Sequence, residues 1–458
     1  MQRIVDAEYR MSRVSGDNPL ITALPPQLGR DELYNALARE YTLPDDYKSY
    51  TPQERQELSV RIKQIYVPME YSADIYASLF YGFLTAYTGR TALSITKRMN
   101  EIGQAIERKS CDALPDSPFI AESFAILGEP GSGKSTTIRN ILRMYPMAIR
   151  HTKFHGADFN MIQIPYILIE CPVNYSEKSV CYQILEKIDA ILETNFMAET
   201  LRNTLSLDLL IIKIAQLCMR FSIGAILIDE IQNVLRTNTK NPSAGNSLIK
   251  FLVSLANKTG VCLVCIGTSA ISDFFNAEAH LARRTRGPRI PLLSKGATYR
   301  IVLEKMWSNI AVLRPVPLSK EIEEEVYIHT GGCIGKMASL LHYAAFESIF
   351  FSRETVDVET IRSSAKKHDI SARRPTLDPA DIRMFTPFSP GNTQPPKKET
   401  AYVENIEEKT ISQTSKRGRP KAHRDDKDIL LAYAYCNELG LSLGQKLEEM
   451  ELRYFGAC

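Results

Sequence analysis

Short apolar runs recur through the middle of the chain, each closed by glycine or by carboxylates. Residues 123–127, 165–170, 224–230 and 261–267 are strand-length and show no polar face, the pattern of strands buried on both sides. Between them, apolar residues fall at helical spacing over residues 179–192, 205–221 and 247–256, and again at Ile138, Ile141 and Leu142. Alternating strand and helix units of this size predict a parallel three-layer α/β sheet with right-handed crossovers. Residues 1–115 read as an N-terminal extension before a core at 116–315. Its prolines make residues 17–26 an extended arm rather than a helix. Thr51-Pro52, with Glu54 in the first turn, starts a helix. Residues 71–86 mix aromatic and aliphatic side chains, 87–90 form a turn, and 92–106 are an amphipathic helix.

Residues 316–370 predict a small helical lid, with helices around a Gly331-Gly332 break and another over 356–366. Composition then shifts: six prolines between Pro375 and Pro396 mark residues 371–428 as a flexible linker. A helix-like segment with Leu452-Arg453-Tyr454-Phe455 closes the chain at 429–458 and offers aromatic anchors to a partner.

The strongest chemical signal follows the first strand. Gly128-Glu129-Pro130-Gly131-Ser132-Gly133-Lys134-Ser135 fits the phosphate-cradling loop G-x-x-x-x-G-K-[ST], and Thr136 continues into a helix. The glycines let backbone N–H groups converge on a phosphate tail, and the following helix points its positive end there. Lys134 supplies charge to the β and γ phosphates, and Ser135 a hydroxyl for Mg²⁺. Asp229 and Glu230 end an apolar strand, where ligands of a parallel sheet collect. Asp229 there can hold Mg²⁺ and Glu230 can polarise an attacking water. ATP and Mg²⁺ are therefore the expected cofactors, and ATP hydrolysis the expected activity.

A net charge of +3 is too small to announce a nucleic-acid binder. No apolar stretch reaches membrane-spanning length, and the N-terminus lacks an apolar signal core. Nine cysteines, an odd number scattered through apolar segments, read as reduced core residues of a cytoplasmic protein. Cys262 and Cys265 have C-x-x-C spacing but sit in one strand with no second pair, against a zinc or redox role.

The order of these parts resembles an AAA+ ATPase. Leu227-Ile228-Asp229-Glu230-Ile231-Gln232-Asn233, Ile266-Gly267-Thr268 and Ala282-Arg283-Arg284 look like the TnsC/TniB family of bacterial transposition regulators. The run Asp17-Asn18-Pro19-Leu20-Ile21-Thr22-Ala23-Leu24-Pro25 carries most of that specificity, Tyr87-Thr88-Gly89-Arg90 is similar as well, and the resemblance covers about residues 15–345. The resemblance implies an ATP-dependent homo-oligomer, a ring or filament on duplex DNA. It implies recruitment by a TniQ/TnsD-type target selector and activation of a TnsA/TnsB-type transposase. Two other readings stand beside it: an AAA+ helicase loader or replication initiator, and a nucleotide-gated DNA scaffold with negligible turnover.

By the same resemblance, Thr268 senses the γ-phosphate, against a role as a helix cap, and Arg283 or Arg284 reaches a neighbouring subunit's phosphate, against a solvated helix end. Lys336 stands where an arginine usually opens the lid helix, keeping the charge but losing the bidentate fork. Tyr87, Gly89 and Arg90 either border the adenine or simply pack. Arg150, His151 and Lys153 form a basic loop that faces DNA phosphates or only solvent. Lys416-Arg417-Gly418-Arg419-Pro420-Lys421 has the core of an AT-hook, or is a charged spacer.

Overall fold

In a computed structural model of the chain, the residues described are 4–119, 121–172, 176–203, 205–233, 242–271 and 287–372. Five strands form the central sheet: β2 (Phe124–Gly128), β5 (Tyr166–Glu170), β6 (Ala225–Asp229), β7 (Cys262–Gly267) and β8 (Arg289–Ile290). Their order is β5-β6-β7-β2-β8, with every neighbouring pair parallel. This is an AAA+ P-loop α/β fold. The apolar runs have no polar face because both faces of each strand are covered. Ile126, Leu227 and Val264 point into one core. Ala125, Leu127, Ile226, Ile228, Leu263 and Cys265, the alternate positions, point into the other.

Helices Glu177–Leu192, Leu207–Arg220 and Pro242–Thr259 fill the second core, with Ile184, Leu217 and Leu252 fully buried. Helices Glu70–Thr88 and Lys134–Leu142 cover the other face through Leu79, Phe83, Ile138 and Ile141. That core continues without a break into Leu20, Leu24 and Leu33 of the N-terminal segment and into Val326 and Leu341 beyond the sheet. The latter belong to helices Lys320–Thr330 and Ile334–Phe350, parted by Gly331 and Gly332 at φ 57° and 75°. A further helix, Val358–Lys367, packs beside them.

The N-terminal segment departs from the expected extended arm. Pro19–Thr22 is one turn of helix, because Pro19 sits at its first position and the Asn18 side chain accepts from the N–H groups of Leu20 and Ile21. The basic loop expected at residues 150–153 is instead a strand. β3 (Ala148–Phe154) pairs antiparallel with β4 (Ala157–Gln163) and parallel with β1 (Ile4–Asp6) in a separate sheet. His155 and Gly156, both at positive φ, make the tight turn between β3 and β4.

The N-terminal segment is also bolted to the helices beyond the sheet. Arg55, on the helix Pro52–Val60, is 2% exposed and forks onto Glu354: Nη1 donates to Oε2 at 2.5 Å and Nη2 to Oε1 at 2.7 Å. The Tyr47 hydroxyl donates to the Val312 carbonyl, and Asn309 Nδ2 to that of Tyr41. No helix among the described residues is long and apolar enough to cross a membrane.

Candidate nucleotide site

β7 lies between β2 and β6, so the phosphate loop, the paired carboxylates and Thr268 emerge side by side at one edge of the sheet. Sequence separations of roughly a hundred residues close to a single cavity of about 300 Å³, lined by Gly131, Gly133, Lys134, Ser135, Thr136, Glu230, Gln232 and Thr268.

The loop has the backbone that a phosphate cradle needs. Gly131 and Gly133 sit at φ 80° and 100°, where a side chain would be strained. A Cβ on Gly128 would stand 2.6 Å from the Ile290 carbonyl oxygen and 2.8 Å from Ser132 Oγ. Ser132 Oγ is buried beside Gly128 without a protein hydrogen-bond partner. Lys134, 6% exposed, donates through Nζ to the carbonyls of Gly128 and Glu129, both at 2.9 Å. Burial pulls its pKa below the ordinary lysine value, and the negative charges of Glu230, Asp229 and Glu129 oppose that pull. A polyanion with Mg²⁺ fits this donor set. Ser135 and Asp229 would supply the metal's two protein ligands, the usual number where phosphates and water complete an octahedron. Among the described residues no group of three His, Cys, Asp or Glu forms a metal site of its own.

Asp229 is 4% exposed, and its Oδ1 accepts from the Glu230 N–H at 2.9 Å. Glu230 stands at φ 56°, which turns its side chain off the strand line into the cavity lining. The Thr268 N–H donates to Gln232 Oε1 at 3.1 Å, and Ser269 Oγ donates to Glu129 Oε1 at 3.0 Å. Glu129, Pro130 and Ser132 form the loop's outer turn, with the Ser132 N–H donating to the Glu129 carbonyl.

The first turn of Ile334–Phe350 abuts the loop. The Gly335 N–H donates to the Gly131 carbonyl at 2.9 Å, and Cys333 Sγ lies 3.5 Å from the Pro130 carbonyl oxygen. Lys336, the residue after Gly335, donates through Nζ to the Ser371 carbonyl at 2.6 Å and is not in the cavity lining. Arg283, Arg284 and the basic hexapeptide 416–421 lie outside the described residues, as does the segment 429–458.

The structure decides between the two readings of Tyr87, Gly89 and Arg90. They stand at the opposite edge of the sheet, where β6 and β7 begin. The Tyr87 hydroxyl donates to the Ser222 carbonyl and fills the space over Gly224. Arg90 donates to the carbonyls of Ile223 and Gly260 at 2.8 and 3.0 Å. They brace the sheet and do not border the nucleotide cavity. The apolar end of the cavity comes from residues that no motif marks: Ile65, Tyr66, Val67, Met69 and Tyr71 on one side, Val302, Met306, Ile334 and Ala338 on the other. A flat base fits between such walls. Tyr66 is held in place by its hydroxyl, which donates to Thr137 Oγ1 at 3.0 Å on the helix after the phosphate loop.

His151 is likewise corrected. It is 1% exposed, with Nε2 2.9 Å from Gln163 Oε1 and Nδ1 2.8 Å from the Tyr9 hydroxyl. Gln163 Nε2 donates to the Leu20 carbonyl, so its Oε1 is the acceptor and the His151 proton sits on Nε2. Burial pushes its pKa down to about 4, so it carries no charge for a phosphate. Arg150 and Lys153 remain on the exposed side of β3, with Arg150 3.7 Å from Asp6.

Fold and site together define a P-loop α/β protein whose cavity fits a nucleotide. Residues 121–275 match the family model described as "AAA domain". Among solved structures, Cdc6p from Pyrobaculum aerophilum is 17% identical, covering 54% of this chain and 61% of that one at TM-score 0.37. The Aeropyrum pernix ORC2 protein in its ADP form is 12% identical over 60% of this chain and 67% of that one, at TM-score 0.36. Drosophila ORC bound to DNA is 14% identical over 70% and 75%, at TM-score 0.32. The chain thus spans about three fifths of the length of the first of these. No curated protein matches the sequence. Similarity at this level assigns no activity.

Proposed function

We propose that the chain is an ATPase that uses ATP binding and hydrolysis to switch a homo-oligomer on duplex DNA, as a regulator of DNA transposition. The convergence of Lys134, Asp229, Glu230 and Thr268 at one sheet edge, beside an apolar slot, carries the nucleotide half of this reading. Gly131 and Gly133 bind the phosphates through backbone N–H groups, and Lys134 leaves its loop carbonyls for them. Mg²⁺, held by Ser135 and Asp229, would neutralise phosphate charge. Glu230 takes the proton of the attacking water, and Thr268 bonds the γ-phosphate. Arg283 or Arg284 of one copy reaches the phosphate held by the next. The N-terminal sequence run and the exposed Arg150 and Lys153 support the DNA half; their contacts go to phosphate and read no sequence. A TniQ/TnsD-type selector and a TnsA/TnsB-type transposase are the partners this reading requires.

Phosphate release, measured with and without duplex DNA, tests it. Lys134→Ala should abolish ATP-stimulated DNA binding, and Glu230→Gln should bind ATP, keep only residual turnover and stay on DNA. A protein that remains monomeric and ignores duplex DNA at saturating Mg·ATP refutes the reading. Capture of a replicative helicase in place of a transposase would make it a loader, and nucleotide-gated DNA binding without phosphate release a scaffold.

A further inference from the structure

We infer that Gln232 is a positioning residue that orients the Glu230 carboxylate and keeps it in register with the strand end carrying Thr268; this rests on Glu230 acting as the base. Gln232 lies on a short 3-10 turn just after the carboxylate strand and is half-buried in the cavity lining. Its Nε2 donates to Glu230 Oε2, and its Oε1 accepts from the Thr268 N–H at 3.1 Å. The amide can face only one way. A carboxylate is purely an acceptor and a backbone N–H purely a donor, so the flipped amide would lose both bonds and set oxygen against oxygen.

The bridge is built, not incidental. Gly267 is bare where a Cβ would stand 2.6 Å from Ile231 Cγ2 and 2.7 Å from Gln232 Oε1. The strand end approaches the amide this closely only because residue 267 has no side chain. Glu230 itself sits at φ 56°, past the end of the strand ladder, so its side chain does not follow the strand's alternation. One carboxylate oxygen is tied by the amide, which leaves the other to meet a water. Because the same amide reads the position of Thr268, any shift at the end of β7 is passed to Glu230.

The test pairs Gln232→Met, which keeps length and volume but removes donor and acceptor, with Glu230→Gln and with the double variant. Steady-state phosphate release with saturating duplex DNA, affinity for a fluorescent ATP analogue and the thermal midpoint are measured for each. Gln232→Met should lower kcat about tenfold to a hundredfold, leave KM and nucleotide affinity within about twofold, and leave the midpoint unchanged. In the Glu230→Gln background it should lower residual turnover no further, since residues acting as a unit do not add. Wild-type kcat in Gln232→Met, a loss confined to nucleotide affinity, or an equal fold-loss in both backgrounds would overturn the role of Gln232 while leaving Glu230 as the base. Full turnover in Glu230→Gln, or none in the wild-type protein, would overturn both.

Discussion

Arg55→Met is the most quantitative probe of how the nucleotide slot is held together. The guanidinium is 2% exposed and makes two short charge-assisted bonds to Glu354, whose side chain is 13% exposed. It also donates to the Tyr50 and Ala311 carbonyls, both at 3.3 Å. Methionine keeps most of the stem packing and strands the carboxylate, which retains the Leu313 N–H at 3.2 Å. Breaking a buried pair from one side costs about 3–5 kcal/mol. Because Glu354 is partly open and keeps one donor, the low end, about 3 kcal/mol, applies. At about 2 °C per kcal/mol for a protein of this size, the midpoint should fall by about 6 °C. Circular dichroism or scanning fluorimetry reads that shift, and the same samples titrated with a fluorescent ATP analogue should show weaker binding, since the pair joins both walls of the slot. Arg55→Met/Glu354→Leu should recover at least half of the loss, because no charge is then left behind. A double variant no more stable than Arg55→Met would refute the argument that an unpaired buried carboxylate is the cause.

Acid should act through the same pair. Its hydrogen bonds to Arg55 hold the Glu354 carboxyl below the ordinary glutamate range, against the opposing pull of burial. The folded pKa is depressed, so the stabilisation is present above the unfolded value of about 4.3 and lost as pH falls through the folded value. Midpoint against pH should therefore fall less steeply below pH 5 in Arg55→Met than in the wild type. Gly267→Ala should lower kcat as Gln232→Met does, by pushing the amide off Thr268, and should also lower the midpoint, because the same Cβ meets buried Ile231; unchanged kcat would refute the close approach. Arg90→Met should destabilise the fold by about 1–3 kcal/mol for each carbonyl left unsatisfied, while ATP-analogue affinity stays unchanged. Weakened affinity with intact stability would instead put Arg90 back beside the base.

Elements whose information is local were legible in the sequence. The phosphate loop, the carboxylate strand and the β7 run carry their own apolar pattern and punctuation, and they form β2, β6 and β7 within two residues of expectation. β3 escaped because its basic residues mimic a loop; its hairpin partner β4 follows directly, and only β1 lies more than a hundred residues away. The alternation Ile149, His151 and its tight-turn glycine at 156 was a usable signal. Pro19 was misread because Asn18 as an N-cap turns a helix-breaking residue into a helix-starting one. The apolar wall from Ile65 to Tyr71 carries no motif; packing alone brings those side chains to the cavity. Tyr87 to Arg90 shows the opposite error, a conspicuous cluster whose place is decided by which end of the strands it meets.

The clamp between Arg55 and Glu354 makes the two sides of the slot one jaw rather than two. Residues 41–60 and 309–354 should therefore loosen together, with one shared rate of amide exchange, rather than separately.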